Sequence, residues 1–208
     1  ITDPEKSNSF RYNEKNYAAY ISFERSFNEQ WSAKAGLRYE YSMVNGNSLT
    51  SGQQTETSYG KFFPTAYISY KSNENHTFSL NYSKRINRPG FRAINPYRWY
   101  NNINSYFTGN PFLQPSINHN FEFSYVYKGK LSASAYFQRK LNASDQIVIL
   151  EGENKTSTFA NFYNASSMGL SLNYSDTFFR LWEANYSGDI SYMETQVFVT
   201  DAASRKGS

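Results

Sequence analysis

Apolar and polar residues alternate with a period of two along most of this chain. From Trp31 one row reads Trp31, Ala33, Ala35, Leu37, Tyr39, Tyr41 and Met43, and the interleaved row reads Ser32, Lys34, Gly36, Arg38, Glu40 and Ser42. Successive side chains of a strand point to opposite faces, so this spacing predicts a strand with one apolar and one polar face. The same rhythm returns at Phe78–Leu80–Tyr82, at Phe121–Phe123–Tyr125–Tyr127, and at Leu131–Ala133–Ala135–Phe137. It continues at Leu170–Leu172–Tyr174 and at Trp182–Ala184–Tyr186–Gly188–Ile190–Tyr192. Less regular segments at 12–27 and 62–71 bring the predicted strands to eight. Helical spacing is scarce, and no apolar run is long enough for a membrane-spanning helix.

The predicted connections alternate in length. Short turns fall at 28–30, 72–75, 128–130 and 176–179, and long polar loops at 45–60, 87–116 and 151–159. An up-and-down meander trimmed at one end and elaborated at the other is the habit of outer-membrane barrels, with short periplasmic turns and longer external loops. Several segments exceed the 9–11 residues or so that a tilted strand needs to cross a bilayer. The fold class expected is all-β, an antiparallel up-and-down transmembrane β-barrel.

Composition supports that reading. Aromatics form 19% of the 208 residues, with 19 Tyr and 17 Phe. Leu, Ile, Val and Phe together make up only about a fifth of the chain, which is thin for a water-soluble core. Rings with one wet edge suit the two headgroup girdles of a membrane barrel. A soluble β-sandwich that binds glycans through Trp99 and Tyr100 is the competing architecture. A formal net charge of +4 is spread over many strands, which argues against nucleic acid as a partner. With no cysteine and two histidines, thiolate chemistry is excluded and little remains for a metal site. His76 and His119 have no Gly-flanked serine or other context that suggests activation. No enzyme, metal or cofactor is expected.

The long loop carries the most distinctive residues. It reads Arg85-Ile86-Asn87-Arg88-Pro89-Gly90-Phe91, then Ile94-Asn95-Pro96-Tyr97, then Gly109-Asn110-Pro111-Phe112-Leu113-Gln114-Pro115. This resembles the TonB-dependent receptor superfamily, in its Bacteroidetes-type outer-membrane β-barrel branch, where an R-x-N-R-P strand end leads to Asn-Pro and Gly-Asn-Pro turns. Ser116 departs from the glutamate common there. The resemblance implies an outer-membrane nutrient importer with a barrel of roughly 22 strands and a plugged lumen. This chain, residues 1–208, would then be a partial barrel of about eight strands. The plug domain, the TonB-contacting segment and the C-terminal strands would lie outside it, since the sequence ends Arg205-Lys206-Gly207-Ser208 without the family's terminal aromatic. Implied partners are outer-membrane lipid, the protein's own plug and the TonB complex, and a surface lipoprotein stays open. A passive or structural outer-membrane barrel, serving assembly, adhesion or secretion, is the alternative function.

Three sets of residues follow. Phe91, Arg92, Tyr97, Arg98, Trp99, Tyr100, Tyr106 and Phe107 combine rings with arginines and are candidate ligand contacts on an external loop, unless they pack on one another to fold that loop. Arg85, Arg88, Pro89, Asn95, Pro96, Gly109, Asn110, Pro111 and Pro115 are expected to shape it. Lys34, Arg38, Glu40, Glu122, Glu183 and Asp189, on the polar rows, are expected to face the lumen and plug, as are Arg85 and Lys140.

Overall fold

The structure, a computed structural model, describes residues 9–49, 52–179 and 181–198. The terminal stretch Arg205–Ser208 lies outside them. Eight long strands form an antiparallel meander: β1 (Phe10–Ser26), β2 (Trp31–Ser48), β3 (Gln54–Asn73), β4 (His76–Asn87), β7 (Ser116–Tyr127), β8 (Leu131–Glu151), β9 (Asn154–Phe178) and β10 (Trp182–Val197). Between β4 and β7 lie a single helical turn, α1 (Phe91–Ile94), and a hairpin of β5 (Arg98–Asn102) and β6 (Ser105–Thr108). All the described strands belong to one sheet. Among the described residues no second sheet packs on it, which speaks against the two-layer sandwich.

Register settles the two faces. One cross-strand row runs Ala33–Ile68–Leu80–Phe123–Ala135–Leu170–Ile190, and the next runs Ala35–Ala66–Tyr82–Phe121–Phe137–Met168–Tyr192. This face is apolar from β2 to β10, yet Leu80 is 50% exposed and Ile190 70%. So broad an open apolar surface needs a nonpolar environment. The opposite face carries Lys34, Arg38, Glu40, Arg85, Glu122, Lys140, Glu183 and Asp189.

The turns at one end are built as expected. Asn28 Oδ1 accepts the backbone N–H groups of Gln30 and Trp31 at 2.9 and 2.7 Å. Lys128 and Gly129 take positive φ of 51° and 66° in the three-residue connection between Tyr127 and Leu131, where the Lys130 N–H donates to the Tyr127 carbonyl at 2.9 Å. The other end differs from expectation. The polar stretch 45–60 is strand up to Ser48 and again from Gln54, and 151–159 is a two-residue hairpin at Gly152–Glu153. Residues 45–48, 54–58 and 154–158 carry no large apolar side chain on either face, so no apolar alternation marks them. Ladder hydrogen bonds to a neighbouring strand keep them extended. Among the described residues, only the connection at 88–115 is a long loop.

Candidate functional site

The loop at 88–115 folds back onto the polar face of the sheet. Arg88, just beyond β4, reaches across to the first two strands. Its Nη2 donates to Glu40 Oε2 at 2.6 Å and to Ser42 Oγ at 3.1 Å, and its Nε lies 3.3 Å from Glu14 Oε1 as a charge contact without hydrogen-bond alignment. Arg38 Nε pairs with the other Glu40 oxygen at 3.0 Å. Ser42 Oγ donates onward to Asn16 Oδ1 at 2.6 Å. Glu14 sits on the part of β1 beyond the apolar band. Burial raises its pKa, but hydrogen bonds from Asn16 and Tyr12 and the charge of Arg88 outweigh burial and hold it below the usual carboxylate value.

Above this latch, Pro89, Ile94, Pro111 and Leu113 pack against Phe10, Tyr12, Val44 and Thr57 on the polar-face rows, leaving a gap of about 40 Å³. Ile94 and Leu113 are buried, an apolar anchorage for a loop that sequence alone leaves free. The Asn-Pro and Gly-Asn-Pro motifs close the loop on itself. Asn95 Oδ1 accepts the Tyr97 N–H at 3.1 Å, and Gly109 N–H donates to the Asn95 carbonyl at 2.9 Å. A Cβ at Gly109 would stand 2.5 Å from that carbonyl oxygen, so only glycine fits. Asn110 Nδ2 donates to the Phe159 carbonyl at 3.0 Å. Asn161 binds both polar backbone groups of Gln114, at 2.8 and 2.9 Å. It docks the loop's exit against the register shift in β8 at Lys140–Ala143. Sequence reasoning missed Asn161, Glu14 and Asn16. An Asn-rich composition was the only signal for the two asparagines, and nothing in the sequence marked Glu14.

The hairpin has two sides. On one, Trp99 and Phe107 are partners in register with ring centroids 5.4 Å apart. Arg92 lies over both rings, Tyr97 meets Trp99 edge-on at 4.9 Å, and Phe159 meets Phe107 at 5.8 Å. These rings pack on one another. On the other side stand Arg98, Tyr100 and Tyr106, with the Arg98 guanidinium 5.0 Å from the Tyr106 ring centroid and Tyr100 51% exposed. Phe91 rests on Phe10 at 5.7 Å. Strand β6 pairs in parallel with β9, Tyr106 opposite Thr156, so the loop bridges from β4 over to β9.

Of the polar-face candidates, Arg38 and Glu40 join the Arg88 latch, and Lys34 pairs with Glu24 at 3.0 Å in an exposed position. Glu122, Glu183 and Asp189 stand apart, opposite Tyr136, Thr177 and Ser171 in register. His76 Nδ1 is hydrogen-bonded to the Tyr125 hydroxyl at 2.8 Å and His119 Nδ1 to that of Tyr82 at 3.0 Å. Among the described residues no three His, Asp or Glu side chains are grouped to hold a metal.

A single sheet with one open apolar face, whose loop folds onto its polar face, is the wall of a membrane barrel. The family model described as outer membrane protein beta-barrel family matches residues 1–207. The chain belongs to that family. This places it in the bacterial outer membrane. A search of curated protein sequences finds no match. Among solved structures, the copper transporter OprC superposes with a TM-score of 0.68 at 16% identity, covering 86% of this chain and 29% of that one. The ferric yersiniabactin uptake receptor FyuA from Yersinia pestis gives 0.61 at 13% identity, covering 91% and 28%. The alcaligin outer-membrane receptor FauA from Bordetella pertussis gives 0.57 at 19% identity, covering 89% and 31%. At these identities the likeness is one of fold. This outer-membrane β-barrel chain spans about 30% of the length of those three.

Proposed function

We propose that this chain is wall and external loop of a TonB-dependent outer-membrane importer, an eight-stranded part of a larger barrel in which the polar face surrounds a plug. The observation that carries this reading is the inward-folded loop. A passive pore needs an open lumen, whereas this loop is latched over the polar face by Arg88 and strapped to β9. Such a loop narrows the mouth and presents Arg98, Tyr100 and Tyr106 to whatever enters. The barrel neighbours that transport copper or take up iron chelates support import and make a metal or its anionic chelate the first cargo to assay. Rings and a guanidinium suit a flat, anionic ligand. Glu122, Glu183 and Asp189 contribute hydrogen bonds to the plug in this reading. The proposed branch is the Bacteroidetes type, on the strength of the Arg-x-Asn-Arg-Pro and Gly-Asn-Pro turns.

The test is uptake of labelled cargo by cells carrying the protein, with and without a functional TonB system. Replacement of Arg98 and Tyr100 by alanine is expected to weaken cargo binding by roughly tenfold or more, the scale of one or two lost charge-assisted contacts. Uptake that persists without TonB, at an unchanged rate, overturns the proposal in favour of a passive or structural barrel.

A further inference from the structure

The lipid-facing rows contain one anomaly. Directly beyond the aromatic row Tyr82–Phe121–Phe137, the next row on the same face reads Lys84–His119–Arg139, three residues opposite one another in register on β4, β7 and β8. Neighbouring strands lie about 4.8 Å apart, so the three side chains stand within about 10 Å. One row further out come Ile86, Ile117 and Leu141, which are apolar again. Lys84 and Arg139 are therefore cations set into an apolar surface, with His119 between them. Among the described residues neither Lys84 nor Arg139 makes an ion pair. Glu194, the acid on this row, is two strands beyond Arg139, past Ser166.

Height above the short turns locates the row. Lys84, His119 and Arg139 each lie about ten residues from the nearest of those turns. Ten residues of strand tilted about 40° rise about 25 Å, the height of the apolar band of an outer-membrane barrel. Long basic side chains there reach outward to the headgroup level. The row thus stands at the outer rim of the band, where the anion available to neutralise it is a lipid phosphate.

A second feature lies below. About four residues nearer the turns, the apolar face dips into an open trough of about 770 Å³, with Phe78 and Tyr125 on one side, Leu170 and Ile190 on the other, and Ala133 and Ala135 as its floor. Four residues of strand are about 13 Å. A phosphate on the basic row would have its acyl chain enter the trough.

We infer that Lys84, His119 and Arg139, with the trough beneath them, form a site on the outer wall for a phosphorylated lipid of the outer leaflet. Lys84 and Arg139 hold the headgroup phosphate, with the His119 ring between them, and the small side chains of Ala133 and Ala135 make room for an acyl chain. The site depends on the membrane-facing side of the sheet and not on what the barrel transports, so it stands or falls separately from the import reading.

Native mass spectrometry of the protein extracted from outer membranes in mild detergent tests this, with diphosphorylated lipid A as the probe. The K84Q/R139Q variant is expected to bind it roughly 30-fold more weakly, from about 1 kcal/mol for each permanent cation near the surface. Each single variant is expected to lose roughly fivefold. K140Q, whose lysine is on the polar face one residue along, is expected to bind like the parent, and A135F, which fills the trough, more weakly. Dephosphorylated lipid A should no longer distinguish parent from K84Q/R139Q. Retained heat-modifiable gel mobility confirms that each variant is folded. Equal binding by the parent and K84Q/R139Q overturns the site, as does equal loss in K140Q. Displacement by millimolar inorganic phosphate alone would make it a free-anion site and also overturn it.

Discussion

Arg88 is the residue on which the loop turns. It places one cation between two carboxylates from different strands, with its side chain 25% exposed and that of Glu40 11%. Arg88→Ala would leave Glu14 and Glu40 without their cation in a half-buried setting. The expected loss is about 2 kcal/mol, less than the 3–5 of a fully buried pair because water still reaches the site. Arg88→Lys should lose less, since charge survives while the fork is gone. Denaturant unfolding in lipid vesicles measures both. The depressed pKa of Glu14 fixes the sign of a pH effect. Its contribution is complete above the ordinary carboxylate value and is lost as pH falls through the lowered one. A spin label at position 103 should therefore gain mobility in acid, at pH below the ordinary carboxylate range, and Glu14→Gln should flatten that response. Facing is testable one residue at a time. Leu80→Arg should cost about 2–4 kcal/mol if it meets lipid at mid-depth, whereas Asn81→Arg, opposite Glu122 on the polar face, should be mild. Equal tolerance of the two in a folding assay would contradict the register.

At the scale of elements, what could be read from sequence depended on whether one face was apolar. Within the membrane band, alternation marked six of the long strands clearly and β1 and β3 less regularly, because lipid on one side and polar surroundings on the other impose opposite chemistry on successive residues. Beyond the band both faces are wet. There Thr55, Thr57 and the stretch 154–159 looked like loops although they are paired strand. The hairpin of β5 and β6 was missed for another reason. Trp99, Tyr100, Tyr106 and Phe107 were noted as rings, but their pairing depends on β9, some fifty residues away. The turn motifs were legible as turns, and their partners in Phe159 and Asn161 were not. Gly109 shows how tightly the motif is built. Gly109→Ala would drive its methyl group into the Asn95 carbonyl and should destabilise the folded loop by about 1–3 kcal/mol. Faster protease cleavage within 88–115, with the barrel itself still folded, is the expected readout.

At the scale of the molecule, the described residues of the sheet enclose no interior core of the usual kind. Its stability comes from ladder hydrogen bonds, lipid on one face and the folded loop on the other. The parallel strap between β6 and β9 has a consequence for the rim. Among the described residues, ladder pairing of β10 with β9 runs to Val197 opposite Tyr163, with one further bond from Phe198 N–H to the Phe162 carbonyl, and β6 occupies β9 at Lys155–Ser157. Two segments thus share a single edge, one below and one above. A segment paired with β9 above Tyr163 on this edge would have to evict the hairpin, and faster amide exchange at Ser105–Phe107 would report the eviction. The ceiling on that stretch of the wall is set by an element that starts four strands away.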